Sequence, residues 1–262
     1  MDFKFTKSEL IAKSVLEQCG LDDPIELPIS DIILGRKAFY EEKPLDGKQG
    51  KIVSVGGRSI ITINSNIEFE AKKRFTAAHE LGHFEMHRDL FPIITDTEFD
   101  LLNWYQGGPQ EMEANEFAAE FLMPSEIFYN ECKSRRFGPD VVEHLSNRFG
   151  VSKTAAILKF VKRGNYPCAI IYCKENKMKW WKASSDFRNF LEFEHDKNPP
   201  TDSVAYELFT TNKIYKGDER KQDIWKSTWL KMRNDDEEDK RFYEYCLYVK
   251  SYNYSISIIW ED

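Results

Sequence analysis

The sequence predicts an α+β protein in two parts: residues 1–164, combining a small sheet with several helices, and a C-terminal α+β domain at 165–262. Three observations predict it. Apolar residues at helical spacing alternate with short β-branched runs up to residue 87; two helices flank Gly150; and after Gly164 the chain turns to aromatic and β-branched runs. A chain of 262 residues buries roughly three quarters of its unfolded surface. It therefore has a substantial core, in one large domain or two.

Thr6 or Ser8 can cap an opening helix whose Leu10, Ile11, Val15 and Leu16 share a face, with Gly20 as its stop. Pro24 and Pro28 break the chain, and β-rich runs follow at 37–41, 51–55 and 59–63. Gly56, Gly57 and Arg58 join the last two as a hairpin. A helical pattern covers 66–87, a loop rich in Asp, Gly and Pro runs to 109, and a second long helix covers 110–123. Two shorter helices are expected at 139–149 and 152–162, hinged at Gly150. Strands are expected at 168–173, 178–182, 204–210, 242–249 and 254–260, and the acidic run 235–239 reads as a solvated loop.

The 37 Lys and Arg against 44 Asp and Glu leave a charge of −7, which opposes a dedicated nucleic-acid binder. With 19 Phe, 12 Tyr and 6 Trp the chain has too many aromatics for intrinsic disorder. No stretch approaches the roughly 18–20 apolar residues of a membrane span, and the N-terminus lacks an apolar signal core. Five cysteines without a C-x-x-C pair suggest neither a disulfide framework nor a cysteine zinc knuckle, so the expected setting is the reducing cytoplasm.

Three of the five histidines, His79, His83 and His87, fall within one short segment. Positions i and i+4 of a helix lie only about 40° apart, so His79 and His83 aim their rings at one place. The pattern is H-E-x-x-H, which sets Glu80 beside the pair, able to reach a metal-held water without ligating. By chance this pattern is expected on the order of 0.01 times in such a chain. Phe75, Ala78, His79, Gly82, His83, Met86 and His87 also follow the period of a core-facing stripe. Buried imidazoles need partners, and a metal supplies them. His87, further round and two turns along, reads as a supporting group rather than a ligand.

Two histidines leave a catalytic zinc site one protein ligand short. On the second long helix, Ala114, Ala118 and Phe121 form a stripe suited to close packing, and Glu111 lies on it. Glu111 is therefore the expected third ligand. Asn115, one turn on, can accept from a ligating imidazole and fix its tautomer. Glu113 points some 200° away and is the fallback. Asp89 is a weaker rival, because its pattern wants a glycine where Met86 stands. Glu116 and Glu120 are expected on a solvated face.

Residues 74–87, Arg-Phe-Thr-Ala-Ala-His-Glu-Leu-Gly-His-Phe-Glu-Met-His, followed by 111–124, Glu-Met-Glu-Ala-Asn-Glu-Phe-Ala-Ala-Glu-Phe-Leu-Met-Pro, resemble the ImmA/IrrE metallopeptidases. The resemblance spans roughly residues 8–165, with departures at Glu85, where that family is usually apolar, and at Phe121, where Leu is commoner. It implies a zincin-like fold for the first domain, zinc held by His79, His83 and Glu111, and Glu80 as general base. It further implies an endopeptidase that cleaves a helix-turn-helix repressor or antitoxin-like regulator and so releases stress-response or mobile-element genes.

Residues 139–163 read like a helix-turn-helix, with Ser152 capping the second helix and Lys153, Lys159, Lys162 and Arg163 making it basic. A packed helical hairpin accounts for it better than DNA contact does, since a fold motif alone does not establish function. In the C-terminal part the aromatics, Trp180, Trp181, Tyr206, Phe209, Tyr243, Tyr245, Tyr248 and Trp260, read as sheet core, as do Cys168 and Cys173. His144 and His195 read as surface residues. The expected activity is zinc-dependent cleavage of a repressor, without membrane or DNA partners. The rival is a non-catalytic zinc protein that captures a regulator, against which the intact Glu80 argues.

Overall fold

A computed structural model describes residues 3–90, 93–96, 108–232 and 238–261. It divides into two compact units, one of Met1–Phe128 with Leu145–Ala155 and the other of Tyr129–His144 with Ala156–Asp262. The division passes through both helices of the expected pair, Pro139–Phe149 and Lys153–Arg163. Among the described residues no helix is long and apolar enough to cross a membrane.

The first unit opens with α1 (Lys7–Gln18), and Thr6 is its cap. The Thr6 hydroxyl accepts from the Glu9 amide at 3.3 Å and the Glu9 carboxylate accepts from the Thr6 amide at 2.9 Å, so two donors of the first turn are satisfied reciprocally. Ala12, Val15 and Leu16 bury its inner face. A short helix, α2 (Ile29–Gly35), follows within the stretch that the two prolines had marked as broken chain.

The four-stranded sheet has the order β1-β3-β2-β4, with β1 (Ala38–Lys43) parallel to β3 (Arg58–Asn64) and β2 (Gly50–Val55) antiparallel to both β3 and β4 (Ile93–Asp96). Gly56 and Gly57 turn the β2-β3 hairpin with φ of +60° and +75°, the pair of left-handed conformations that a two-residue hairpin turn demands. Ala38, Ile52, Ile61 and Ile63 are buried on one face, while Phe39, Ile60 and Ile93 stay exposed on the other. The β4 strand lies where a loop was expected. It forms by pairing with β2, a partner its own four residues do not announce. The rest of that loop, at 91–92 and 97–107, lies outside the described residues.

Helix α3 (Glu70–His87) starts with an acidic residue, suited to the helix dipole. Its second half is buried almost all round, from Thr76 to Phe84. Against it packs α4 (Pro109–Leu122), which opens with proline at its first position. A Cβ on Gly82 would stand 3.0 Å from Phe117 Cδ1, so the glycine of the H-E-L-G-H segment lets the two helices close up. Ala114, Ala118 and Phe121 are fully buried, as their stripe predicts.

Glu120 corrects the reading of a solvated face. It is fully buried, and its carboxylate accepts from the Ser125 amide at 3.0 Å and the Ser125 hydroxyl at 2.6 Å, capping the next helix, α5 (Ser125–Cys132). Glu85, the polar departure from the family pattern, is explained too: Arg36, just past α2, donates to both of its oxygens at 2.8 and 3.0 Å. Arg74 gives its guanidinium to the carbonyls of Phe149 and Pro24 at 3.1 and 3.0 Å. The turn at Gly150 is closed by Val151 donating to the Ser146 carbonyl, and Ser152 caps Lys153–Arg163 by accepting from Ala155 at 3.1 Å.

The second unit is built on a five-stranded antiparallel sheet of order β6-β5-β9-β8-β7, with β5 Ala169–Lys174, β6 Lys177–Ala183, β7 Gln222–Trp225, β8 Arg241–Val249 and β9 Tyr254–Glu261. Cys173, Ile171, Trp229, Phe242 and Ile259 belong to its core, and Cys168 is also buried. Tyr243, Tyr245 and Trp260 are buried, whereas Trp181 is exposed. The segment 204–210, expected as a strand, is instead a helix, Val204–Thr211. Its first turn is held from outside itself. Ser203 accepts from Tyr206, and the buried Glu244 carboxylate accepts from the amides of Val204 and Ala205 at 3.0 and 3.1 Å. His144 is paired with Glu131 at 2.9 Å, and His195 is exposed. Part of the acidic run, residues 235–237, lies outside the described residues.

Candidate metal centre

Helix α3 carries His79 and His83 one turn apart, and both are buried, at 0% and 1% exposure. Their Nε2 atoms face each other at 3.1 Å. Glu111, from the first turn of α4, closes the third side, with Oε2 at 3.3 Å from His79 Nε2 and Oε1 at 3.3 Å from His83 Nε2. Among the described residues these three form a group able to hold a metal ion, their ligand atoms all within 4.8 Å of one another.

The spacing can be tested against a specific ion. Two ligands on a tetrahedral zinc, at about 2.0–2.1 Å each, stand about 3.3 Å apart. The Nε2–Nε2 separation of 3.1 Å is close to that, and each oxygen of the Glu111 carboxylate stands 3.3 Å from one of the two nitrogens. Glu111 Oε2 is buried yet makes no hydrogen bond, although His79 Nε2 is near it, as expected of an oxygen arranged for a cation rather than for a donor. Burial alone would push the Glu111 carboxyl up. When the His79 and His83 rings carry a proton at Nε2, their hydrogen bonds and charge outweigh burial and hold it well below the usual carboxylate range. An imidazole–imidazole–carboxylate set matches the ligand chemistry of zinc.

Each histidine is gripped on its far nitrogen. His79 Nδ1 donates to Asn115 Oδ1 at 2.9 Å, which leaves the His79 Nε2 lone pair turned towards Glu111. The amide thus takes the supporting place that its position one turn after Glu111 suggests. His83 Nδ1 meets His87 Nδ1 at 2.9 Å, and His87 Nε2 meets Glu113 Oε2 at 2.8 Å. Glu113, the fallback ligand, is therefore engaged with His87 on the far side of His83 from Glu111. Asp89 is exposed beyond the end of α3 and takes no part in the group, because the helix continues through Met86 instead of turning there.

Glu80 is fully buried. Its carboxylate rests against the backbone of Gly50 on β2: a Cβ there would lie 1.8 Å from Glu80 Oε1 and 2.6 Å from its Cδ. A strand glycine costs conformational entropy and normally marks a close approach, which is its use here. No local pattern in the sequence marks Gly50; its value depends on a strand crossing above α3.

Two of the four basic residues that suggested DNA contact, Lys159 and Arg163, are buried, at 3% and 8% exposure. Of the other two, Lys153 is half-buried and Lys162 is exposed.

Comparison with known proteins bears out the resemblance. Residues 36–160 match the family Peptidase_M78, described as the IrrE N-terminal-like domain. A relative from Bacillus phage phi105, the "uncharacterized immunity region protein 2", is 33% identical over 100 residues, which are 38% of this chain and 57% of that protein. The match thus takes in little more than half of that relative's length. Among solved structures, a "Mycobacterium tuberculosis transcriptional regulator" has a TM-score of 0.63 over 98% of this chain and 76% of its own, at 12% identity. At that identity the likeness shows the fold alone.

Proposed function

From a chain whose residues 36–160 carry an IrrE N-terminal-like domain of the Peptidase_M78 family, we propose a zinc-dependent endopeptidase whose substrate is a helix-turn-helix repressor or antitoxin-like regulator. The observation that carries this reading is the convergence of the ligand atoms of His79, His83 and Glu111, with a buried Glu80 that follows His79 in the chain and is not one of the three. A site that only stored zinc would have no use for a buried carboxylate held beside it.

In this reading His79, His83 and Glu111 hold the ion, and Glu80 moves the proton. When bound, zinc lowers the pKa of a water to about 7 and polarises a peptide carbonyl. The Glu80 carboxylate accepts the proton of the attacking water and returns it to the leaving amine nitrogen. Gly50, having no side chain, leaves room for that carboxylate against the strand. Asn115 and His87 fix the rings of the two ligands, and the stacked helices α3 and α4 keep bulk water from their buried side.

The repressor enters through the family resemblance and the immunity-region relative. The test is to incubate the zinc-loaded protein with the helix-turn-helix regulator encoded beside its gene and read the products by mass spectrometry. A single chelator-sensitive cut in the regulator supports the proposal, whereas an intact regulator that co-purifies with the protein favours the capture reading.

A further inference from the structure

The geometry points to Glu113 as a positioning residue for the metal ligand His83, acting through His87. This rests on the reading of His79, His83 and Glu111 as the metal site.

A carboxylate can only accept, so the 2.8 Å contact between Glu113 Oε2 and His87 Nε2 places the hydrogen on His87 Nε2. In a neutral imidazole the other nitrogen then carries a lone pair, and His87 Nδ1 becomes an acceptor. The 2.9 Å contact from His83 Nδ1 to His87 Nδ1 must in turn be made by a hydrogen on His83. His83 Nε2 is thereby left bare, and it is the nitrogen that lies 3.1 Å from His79 Nε2 and 3.3 Å from Glu111 Oε1. The reverse direction is chemically possible: a doubly protonated His87 would donate to His83 Nδ1 and force a hydrogen onto Nε2, aimed into the site. That arrangement cannot ligate a metal; a metal on His83 Nε2, which needs the lone pair there, selects the neutral order, and Glu113 fixes which His87 nitrogen carries the hydrogen in it.

The two ligands are consequently unequal. Behind His79 stands a neutral amide, Asn115. Behind His83 stands a chain that ends in a carboxylate, with His87 buried and Glu113 half-exposed at 45%. Outer partners of this kind orient a ligating ring and raise its basicity, and their loss typically costs about 10- to 100-fold in metal affinity. Glu113 is thus given a role through a second residue although it touches no ligand itself.

The experiment uses the full chain with histidines labelled with nitrogen-15, as isolated and zinc-loaded, and reads the ring tautomers by NMR. Zinc affinity is measured in parallel by chelator competition. The expected wild-type result is hydrogen on His83 Nδ1 and His87 Nε2. Glu113→Ala should weaken zinc roughly 10- to 100-fold and lose the single His87 tautomer. Glu113→Gln, which keeps an acceptor oxygen, should stay within a few-fold of wild type. Hydrogen on His87 Nδ1 in the wild type, or Glu113→Ala with unchanged affinity and tautomers, overturns the proposal. A wild-type chain that holds no zinc would overturn the metal site instead, and the same spectra of the isolated chain would still decide the order of hydrogens along His83, His87 and Glu113.

Discussion

Glu80 occupies the space that a side chain at Gly50 would need: its Oε1 lies 1.8 Å from where a Cβ would stand. Contacts that short do not occur, so any substitution at 50 must move the carboxylate or the strand. Gly50→Ala is expected to leave zinc affinity within a few-fold of wild type, since no ligand is touched. Cleavage should fall by about 100-fold or more, the scale of a general base put out of reach. Zinc competition and peptide kinetics on the same sample check it, with a thermal melt to show that the fold persists.

The third ligand can be assigned by substitution. Glu111→Ala should weaken zinc steeply, because it removes a charged ligand and leaves two imidazoles. Asp89→Ala should hold zinc as wild type does, since Asp89 is exposed and outside the group. Chelator competition on the two variants gives the answer, and equal affinities would remove Glu111 from the site.

Glu244 is held by four donors within the second unit. Fully buried, it accepts from Val204, Ala205, the Trp229 indole at 2.9 Å and the Ser257 hydroxyl. Burial pushes its carboxyl up, against the pull of these donors. A raised folded-state pKa makes this group's contribution to stability greatest at acid pH and lost as pH rises through that pKa. Glu244→Ala orphans four donors and should cost roughly 3–5 kcal/mol, measured by denaturant unfolding followed through tryptophan fluorescence.

The thiols differ sharply in their surroundings. Burial pushes Cys132 and Cys246 up to about 12, helped by Glu131 and Glu244 respectively, and pushes Cys168 and Cys173 higher still. At pH 8 a thiol with a pKa of 12 is ionised only about one part in 10⁴, so it reacts slowly with a disulfide reagent. Cys132, Cys168, Cys173 and Cys246 are therefore expected to react slowly in the native chain, leaving at most one fast thiol, and all five to react after denaturation. Two or more fast thiols in the native protein would contradict these environments.

How much of this was legible in the sequence depended on how far apart the partners are. His79 and His83 are neighbours on one helix, and Glu111 and Asn115 lie on a stripe marked by small residues, so local spacing was enough to bring them together. Glu113 was read by its direction around the helix, but its partner His87 belongs to another helix, and no periodicity encodes that pairing. Gly50 was invisible for the same reason. The strand expected at 204–210 failed because Val, Tyr, Phe and Thr favour sheets intrinsically, while the deciding acceptors, Ser203 and Glu244, are a cap and a residue about forty positions away. Glu120 was read as solvated because a carboxylate seldom goes inside; its partner Ser125 lies just past the helix end, where α5 needs a cap.

The central claim is that zinc is held by His79, His83 and Glu111 while Glu80 does the proton work. Its most direct test is Glu80→Gln set beside wild type, with zinc content and regulator cleavage measured on the same preparations. The account predicts equal zinc in both proteins and cleavage by the wild type alone. Equal cleavage by the two proteins would contradict it.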